Sequence, residues 1–188
     1  FIGEADPAES GAPLLPQEVT VQPTENVGLC VLSADPAFGE VWRRDPSVVR
    51  QMGCAIQERF GFDGKVQVFE RGVMYLRSST NEVWAVSPGR ISGGRYWYTN
   101  QIPLAGGAIG LGLPAPQEGQ RVPADSFGAV WGANPPVQQA IGYAITPEQS
   151  ADLNIQRFDG GTLFLDVTVG QVFVLLVNGD AYGPFGLD

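Results

Sequence analysis

The stretch Gln67–Gly72 reads QVFERG and returns 89 residues later as Gln156–Gly161, QRFDGG. At the same offset, Phe38–Trp42, FGEVW, returns as Phe127–Trp131, FGAVW. From residue 38 onward the two copies align over 49 positions without a gap and share 15 identities, where chance gives roughly three. The chain is therefore a tandem repeat. Residues that recur are expected to form a common scaffold, and residues that differ are where a specific role is expected.

The composition is typical of a globular chain built from many short elements. Its 188 residues include 25 Gly and 15 Pro, and 44% are hydrophobic, which favours short segments joined by turns. The net charge is −9, with Lys65 the single Lys among 11 basic residues. Nucleic-acid binding needs a basic stripe, and no apolar run approaches the length of a membrane span. We therefore expect neither nucleic-acid binding nor direct membrane insertion.

Each copy carries helix-start signals followed by strand patterns. An acid or amide followed by Pro supplies an N-cap and a first-turn proline, as in Asp45-Pro46 and Asn134-Pro135. Apolar alternation then predicts strands at residues 66–69, 73–76, 83–86, 95–98, 155–158, 162–167 and 171–177. The predicted fold class is α+β and β-rich, with two tandem similar modules. Each module consists of two short helices followed by a small antiparallel β-meander.

The predicted organisation has four parts. Residues 1–26 are rich in Pro and acidic residues, which predicts an extended tether. Residues 27–100 form the first repeat module, residues 101–121 a Gly/Pro-rich linker, and residues 122–188 the second repeat module. We expect the tether to pack along the modules or against a neighbouring chain.

The two cysteines predict a disulfide. Cys30 and Cys54 both belong to the first copy, and their counterparts in the second copy are Gly119 and Tyr143. Two cysteines that are gained or lost together are expected to be bonded to each other. Such a bond indicates an oxidising compartment outside the cytoplasm, so we expect the protein to be secreted or on the cell surface.

The aromatic run Tyr96-Trp97-Tyr98 is the candidate contact with a partner or a glycan. Three consecutive aromatic side chains on a strand must point to both of its faces, so at least one ring is expected at a surface. Such rings suit sugar stacking or a protein interface. Packing between the two modules is an alternative explanation of the same run.

Signals of catalysis are weak in this sequence. There is no His, which removes the usual general base and the triads built on it. Two cysteines without His do not make an ordinary zinc site, and we expect no metal and no cofactor. Glu70 and Asp159, which occupy equivalent turn positions, are the best acid pair for glycoside hydrolysis. Their simpler interpretation is a turn made twice by duplication.

A family resemblance rests on the same residues. The pattern Gln67-x-Phe69-Glu70-x-Gly72-x-x-Tyr75, with its second copy from Gln156 to Phe164, resembles the LGFP-type repeats of secreted bacterial cell-envelope proteins. The longer unit is similar to tandem modules of Chloroflexi-type bacteria. This resemblance implies repeats that anchor or decorate the cell envelope and are not catalytic.

These observations lead to a ranked set of expected functions. The first is a non-enzymatic exported structural or accessory subunit of an extracellular or cell-surface assembly, which docks to neighbouring protein subunits through its N-terminal tether. The alternative is a cell-wall glycan-binding module that uses Tyr96, Trp97 and Tyr98. A third possibility is a carboxylate-dependent glycosidase.

Overall fold

The computed structural model describes residues 30–89, 93–104 and 113–188, and the predicted tether lies outside them. Within these ranges the helices are α1 (Pro46–Met52), α2 (Asp125–Ala133) and α3 (Pro135–Ile141). Two short 3-10 turns, Pro36–Phe38 and Val41–Arg44, precede α1. The described strands are β1 (Phe60–Phe69), β2 (Gly72–Arg77), β3 (Glu82–Ser87), β4 (Arg95–Thr99), β5 (Gln149–Phe158), β6 (Gly161–Asp166), β7 (Gln171–Leu176) and β8 (Ala181–Phe185).

Local sequence explains where the short helices begin and end. The Asp45 carboxylate accepts a hydrogen bond from the Ser47 amide at 2.8 Å, which satisfies a donor left free at the start of α1. Gly53 ends α1 with φ of +68°, and Gly142 ends α3 with φ of +76°. That backbone conformation favours glycine, so each helix stops at its repeated Gly.

The described strands form one antiparallel sheet in the order β4-β3-β2-β1-β5-β6-β7-β8. The two halves of the chain meet at its centre, where residues 60–66 of β1 pair with residues 149–155 of β5. The sheet curls until its edge strands nearly meet, and the Tyr96 amide of β4 donates to the Gly179 carbonyl beside β8 at 3.0 Å. The result is a nearly closed, barrel-like cylinder.

The predicted fold class, two tandem modules of two helices and a small meander, is therefore wrong. The strands of both halves belong to one sheet, and the helices cross over between the halves. α1 packs on β6 and β7, whereas α2 and α3 pack on β2 and β3. The sequence pattern is the same whether a helix covers its own strands or those of the other copy, because both copies carry equivalent apolar faces.

Strand alternation divides the buried side chains into an inner and two outer clusters. The inner cluster fills the cylinder with residues of both halves, including Val66, Tyr75, Trp84, Leu153, Phe164 and Phe173. One outer cluster joins β2 and β3 to the second-half helices through Met74, Leu76, Val83, Phe127, Trp131 and Ile141. The other joins β6 and β7 to first-half residues through Phe38, Trp42, Met52, Leu163, Val172 and Val174. Each half therefore needs the other to bury its outer face.

The acids of the repeated motif join the two halves. The Glu70 carboxylate accepts a hydrogen bond from the Tyr143 amide at 2.7 Å. Its counterpart Asp159 accepts one from the Cys54 amide at 3.3 Å. Each acid therefore binds the backbone just after the last helix of the opposite half, and we name these two contacts the clasps.

The buried glutamines of the motif extend both clasps. The Gln67 side chain donates to the Thr146 carbonyl at 3.0 Å, and the Gln156 side chain donates to the Gln57 carbonyl at 3.1 Å. Gln57 and Thr146 are themselves repeat counterparts. The two clasps are thus related by an approximate twofold axis, as expected when equivalent surfaces bind each other.

The predicted disulfide between Cys30 and Cys54 is confirmed. It links the segment before the first 3-10 turn to the residue that follows Gly53 at the end of α1. Because Cys54 also donates its amide to Asp159, the disulfide fixes the first-half side of one clasp.

Substitution of Gly160 tests the crossed arrangement of the halves. A Cβ atom at Gly160 would lie 1.7 Å from the Gln51 carbonyl oxygen. We expect Gly160→Ala to lower the free energy of unfolding by roughly 1–3 kcal/mol through overpacking, measured by urea denaturation. Gly186→Ala is the control, since its Cβ would meet no atom within 4 Å. Equal stability of the two variants would contradict this packing.

Removal of the disulfide tests its contribution to stability. The bond spans a sequence separation of 24 residues, and closing a loop of that size in the unfolded chain is worth about 3 kcal/mol. We expect the double substitution Cys30→Ser with Cys54→Ser to lower the free energy of unfolding by about that amount. Reduction of the native protein should reproduce the loss, and no change on reduction would argue against a bonded pair.

Candidate functional site

The three aromatic residues of the predicted contact lie on β4 but not on one face. Tyr96 faces the inside of the cylinder and packs against the inner cluster, and Tyr98 shares that face because it lies two residues further along the strand. Trp97 faces the outside and packs against the cluster that α2 and α3 cover. Tyr98 is 46% exposed. The structure therefore brings Tyr96 and Tyr98 together and places Trp97 elsewhere.

Tyr96 and Tyr98 line one open end of the cylinder, which we name the first mouth. It holds a pocket of about 200 Å³ with a lining from both halves of the chain, namely Trp84, Tyr96, Tyr98, Ile155, Arg157, Thr162 and Leu175. The rings of Trp84 and Tyr98 have centroids 5.5 Å apart at an interplanar angle of 48°. The first mouth thus has an aromatic wall opposite two paired strands, β5 with Arg157 and β6 with Thr162.

Glu82 organises the polar side of the first mouth. Its carboxylate accepts hydrogen bonds from the Tyr98 hydroxyl at 2.9 Å and from the Thr80 hydroxyl at 2.6 Å. It also pairs with Arg77 at 3.2 Å and with Arg157 at 3.5 Å. Burial opposes ionisation, but these hydrogen bonds and positive charges outweigh it and hold the pKa of Glu82 below its ordinary value.

Arg77 connects this charge network to the aromatic residues inside the cylinder. Its guanidinium carbon lies 5.2 Å from the ring centroid of Phe60 and 4.8 Å from that of Phe62, within the range of cation–π attraction. Phe62 in turn stacks on Trp84 with centroids 6.2 Å apart. Because Glu82 holds both Arg77 and Tyr98, the side chains of the first mouth are fixed before any ligand arrives.

The opposite end of the cylinder forms a larger cleft, which we name the second mouth. It has a volume of about 610 Å³, and its lining includes Val66, Val68, Glu70, Arg71, Val73, Tyr75, Asp166, Gln171, Phe173 and Pro184. The repeat offset relates the two ends, since Phe173 is the counterpart of Trp84 and Asp166 the counterpart of Arg77. The two mouths therefore descend from equivalent positions but differ in chemistry.

A buried acid and a buried phenol lie at the second mouth. Asp166 is only 2% exposed, and its carboxylate accepts a hydrogen bond from the Thr168 amide at 3.0 Å. Burial raises the pKa of Asp166 above its ordinary value. Burial, together with the nearby charge of Asp166, raises the pKa of Tyr75 well above its ordinary value. Among the described residues, Asp166 forms no ion pair.

The two acids weighed for glycoside hydrolysis lie in the clasps. Glu70 bonds to the Tyr143 amide and to the Gln120 side chain, and Asp159 bonds to the Cys54 amide. Their carboxylates therefore stabilise the contact between the halves. Within the described ranges, no group of three or more Cys, Asp or Glu side chains is close enough to hold a metal ion.

Several residues of the two mouths were missed by sequence reasoning. Glu82, Arg77, Arg157 and Asp166 lie on different strands, and the first mouth combines residues of both halves. A signal was present, because each of these four residues differs in charge from its counterpart in the other copy. Charge differences between the copies would have pointed to them.

No helix in the described part of the chain has the length and apolar character needed to cross a membrane. A scan against protein-family models found no match, and searches of curated proteins and of solved structures found no similar chain.

The Glu82 network makes a prediction about pH. Since the pKa of Glu82 is lowered in the folded state, its ionised form stabilises the fold above the unfolded pKa of about 4.3, and this contribution is lost as the pH falls through the folded-state pKa. We expect Glu82→Gln to reduce the free energy of unfolding near pH 7 and to differ less from the native protein below about pH 4. Urea unfolding between those pH values measures the difference.

Glu118→Gln is the matched control for the change in net charge, because Glu118 lies on an exposed turn. Gln at position 82 also reproduces the residue of the second copy, Gln171. A stability difference between native protein and Glu82→Gln that does not depend on pH would contradict the role given to the carboxylate.

Proposed function

We propose that the chain is a non-enzymatic exported protein, an accessory subunit of an extracellular or cell-surface assembly, which binds cell-wall glycan through the first mouth. The observation that carries this proposal is the pair Tyr96 and Tyr98 at the entrance of a pocket of about 200 Å³. Tyr98 is exposed over 46% of its surface although its hydroxyl is held by Glu82. An exposed ring in a fixed orientation is suited to binding, since little conformational freedom is lost when a ligand packs on it.

Saccharides match the mixed chemistry of the first mouth. The apolar face of a sugar ring packs on an aromatic side chain, here Tyr98, while its hydroxyl groups need donors and acceptors around the edge of the pocket. Arg157 offers such donors, because its guanidinium has five N–H groups and 46% of its side chain is exposed. Thr162 adds a hydroxyl that both donates and accepts.

The charge of the first mouth favours an acidic saccharide over a basic one. Arg77 and Arg157 place two positive charges around the single negative charge of Glu82. The local balance is therefore positive in a protein with a net charge of −9. A sugar that carries a carboxylate, such as those of bacterial cell walls, would be attracted to this end of the molecule.

A binding role accounts for the carboxylates better than a catalytic one. Glycoside hydrolysis needs two acids that flank the scissile bond. Glu70 and Asp159 instead bond to backbone amides at the clasps, and Glu82 is neutralised by two arginines. The disulfide between Cys30 and Cys54 supports an extracytoplasmic location, because such bonds persist in oxidising compartments.

Substitution of Tyr98 tests glycan binding. We expect the native protein to co-sediment with insoluble peptidoglycan and Tyr98→Ala to bind about tenfold more weakly, because the stacking surface is lost. Tyr98→Phe keeps the ring and should retain most of the affinity. Val177→Ala, at a residue 75% exposed elsewhere on the surface, is the control. Absence of binding by the native protein, or unchanged binding by Tyr98→Ala, would refute the proposal.

Trp97→Ala does not test this site, since Trp97 packs in the outer cluster under α2 and α3 and its loss is expected to destabilise the fold.

Deletion of residues 1–26 separates the two modes of attachment. Glycan binding through the first mouth should survive the deletion, whereas docking to a neighbouring subunit through the tether should be lost.

A further inference from the structure

The second mouth differs from the first at positions that are equivalent in the two copies of the repeat. At the first mouth the acid Glu82 is neutralised by Arg77 and Arg157. The counterparts of these three residues at the second mouth are Gln171, Asp166 and Val68. At these three positions the second mouth therefore carries one acid, in the place of Arg77, and no cation.

The second mouth is also wider and more apolar. The counterparts of Phe60 and Phe62, whose rings lie under the Arg77 guanidinium, are Gln149 and Ala151. Opposite Phe173, β8 carries Gly183 and Pro184 between its paired residues, whereas opposite Trp84 the edge strand β4 carries Tyr98. Gln149 and Pro184, which stand where the other half has aromatic rings, belong to the lining of the cleft of about 610 Å³, a volume typical of small-molecule sites.

The cleft combines apolar walls with a buried carboxylate. Val66, Val68, Val73 and Phe173 give the walls an apolar character, and Asp166 lies among them beside Tyr75. Arg71, the basic residue of the lining, donates to the Gln139 and Ala140 carbonyls at the end of α3. A buried carboxylate without a counter-charge is costly, and a ligand cation would remove that cost.

We propose that the second mouth binds a small molecule with an apolar body and one protonated amine, with the ammonium group against Asp166. The apolar body lies along Val66, Val68, Val73 and Phe173. The amine supplies a counter-charge to Asp166, which occupies the position that Arg77 holds in the first mouth. The net charge of −9 favours the approach of such a cation. This site is separate from the glycan site, so either can fail without the other.

A matched series of probes tests the proposal on the full, disulfide-bonded chain. The probes are 4-phenylbutylamine, 4-phenylbutanol and 4-phenylbutyrate, which share one apolar body and differ in charge. Isothermal titration calorimetry is expected to give an affinity for the amine at least about tenfold higher than for the alcohol, with the carboxylate weakest. Equal affinities, or a preference for the carboxylate, would overturn the proposal, as would the absence of binding by all three.

Two variants in the cleft and one control variant locate the binding. Asp166→Asn is expected to lower the affinity for the amine about tenfold and to leave the affinity for the alcohol unchanged, since the shape of the cleft is kept. Glu118→Gln, which removes one exposed acid elsewhere, should leave both unchanged. Val68→Phe, at a wall residue 37% exposed, should weaken both probes by filling the cleft. Amine binding that survives Asp166→Asn, in a protein whose thermal unfolding remains cooperative, would place the amine elsewhere and refute the assignment.

Discussion

Two hydrogen-bonded clasps hold the molecule in its crossed arrangement. Glu70 and Asp159 each lie in a tight turn between two strands. The Glu70 carboxylate binds the Tyr143 amide and the Asp159 carboxylate binds the Cys54 amide, in each case just after the last helix of the opposite half. Because the helix that ends there must then lie over the strands of the other half, the clasps decide which apolar faces meet. The pairing of β1 with β5 and the two outer clusters join the halves in the same crossed arrangement.

Duplication explains both what the two halves share and where they differ. The clasps use equivalent positions of the two halves, with an acid, a buried glutamine and backbone groups on each side, so the framework is nearly symmetric. The two mouths use residues that changed after duplication, such as Glu82 against Gln171 and Arg77 against Asp166. A symmetric framework thus supports two unlike ends, one narrow, aromatic and positively charged, the other wide, apolar and negatively charged.

Much of the local structure follows from the sequence, because it depends on neighbours in the chain. Asp45-Pro46 and Gly53 bound α1, apolar alternation marks the strands, and the paired gain of Cys30 and Cys54 indicates their bond. The pairing of helices with strands could not be read in this way. An apolar face on β2 accepts a helix from either copy equally well, so the choice depends on contacts between residues about 70 to 105 positions apart, such as Glu70 with Tyr143 and Cys54 with Asp159. The residues of the two mouths could not be predicted from the sequence for the same reason, since they come together only in the crossed arrangement of the halves.

Because the two crossed halves belong to one chain, equivalent positions in them can mutate independently. Two separate copies of one half could make the same reciprocal contacts as a homodimer, but its two ends would then be identical by symmetry. Joining the halves in one chain removes that restriction, because a mutation at Asp166 no longer alters the residue at position 77. The covalent connection between the halves is therefore what allows one fold to have two ends of different chemistry.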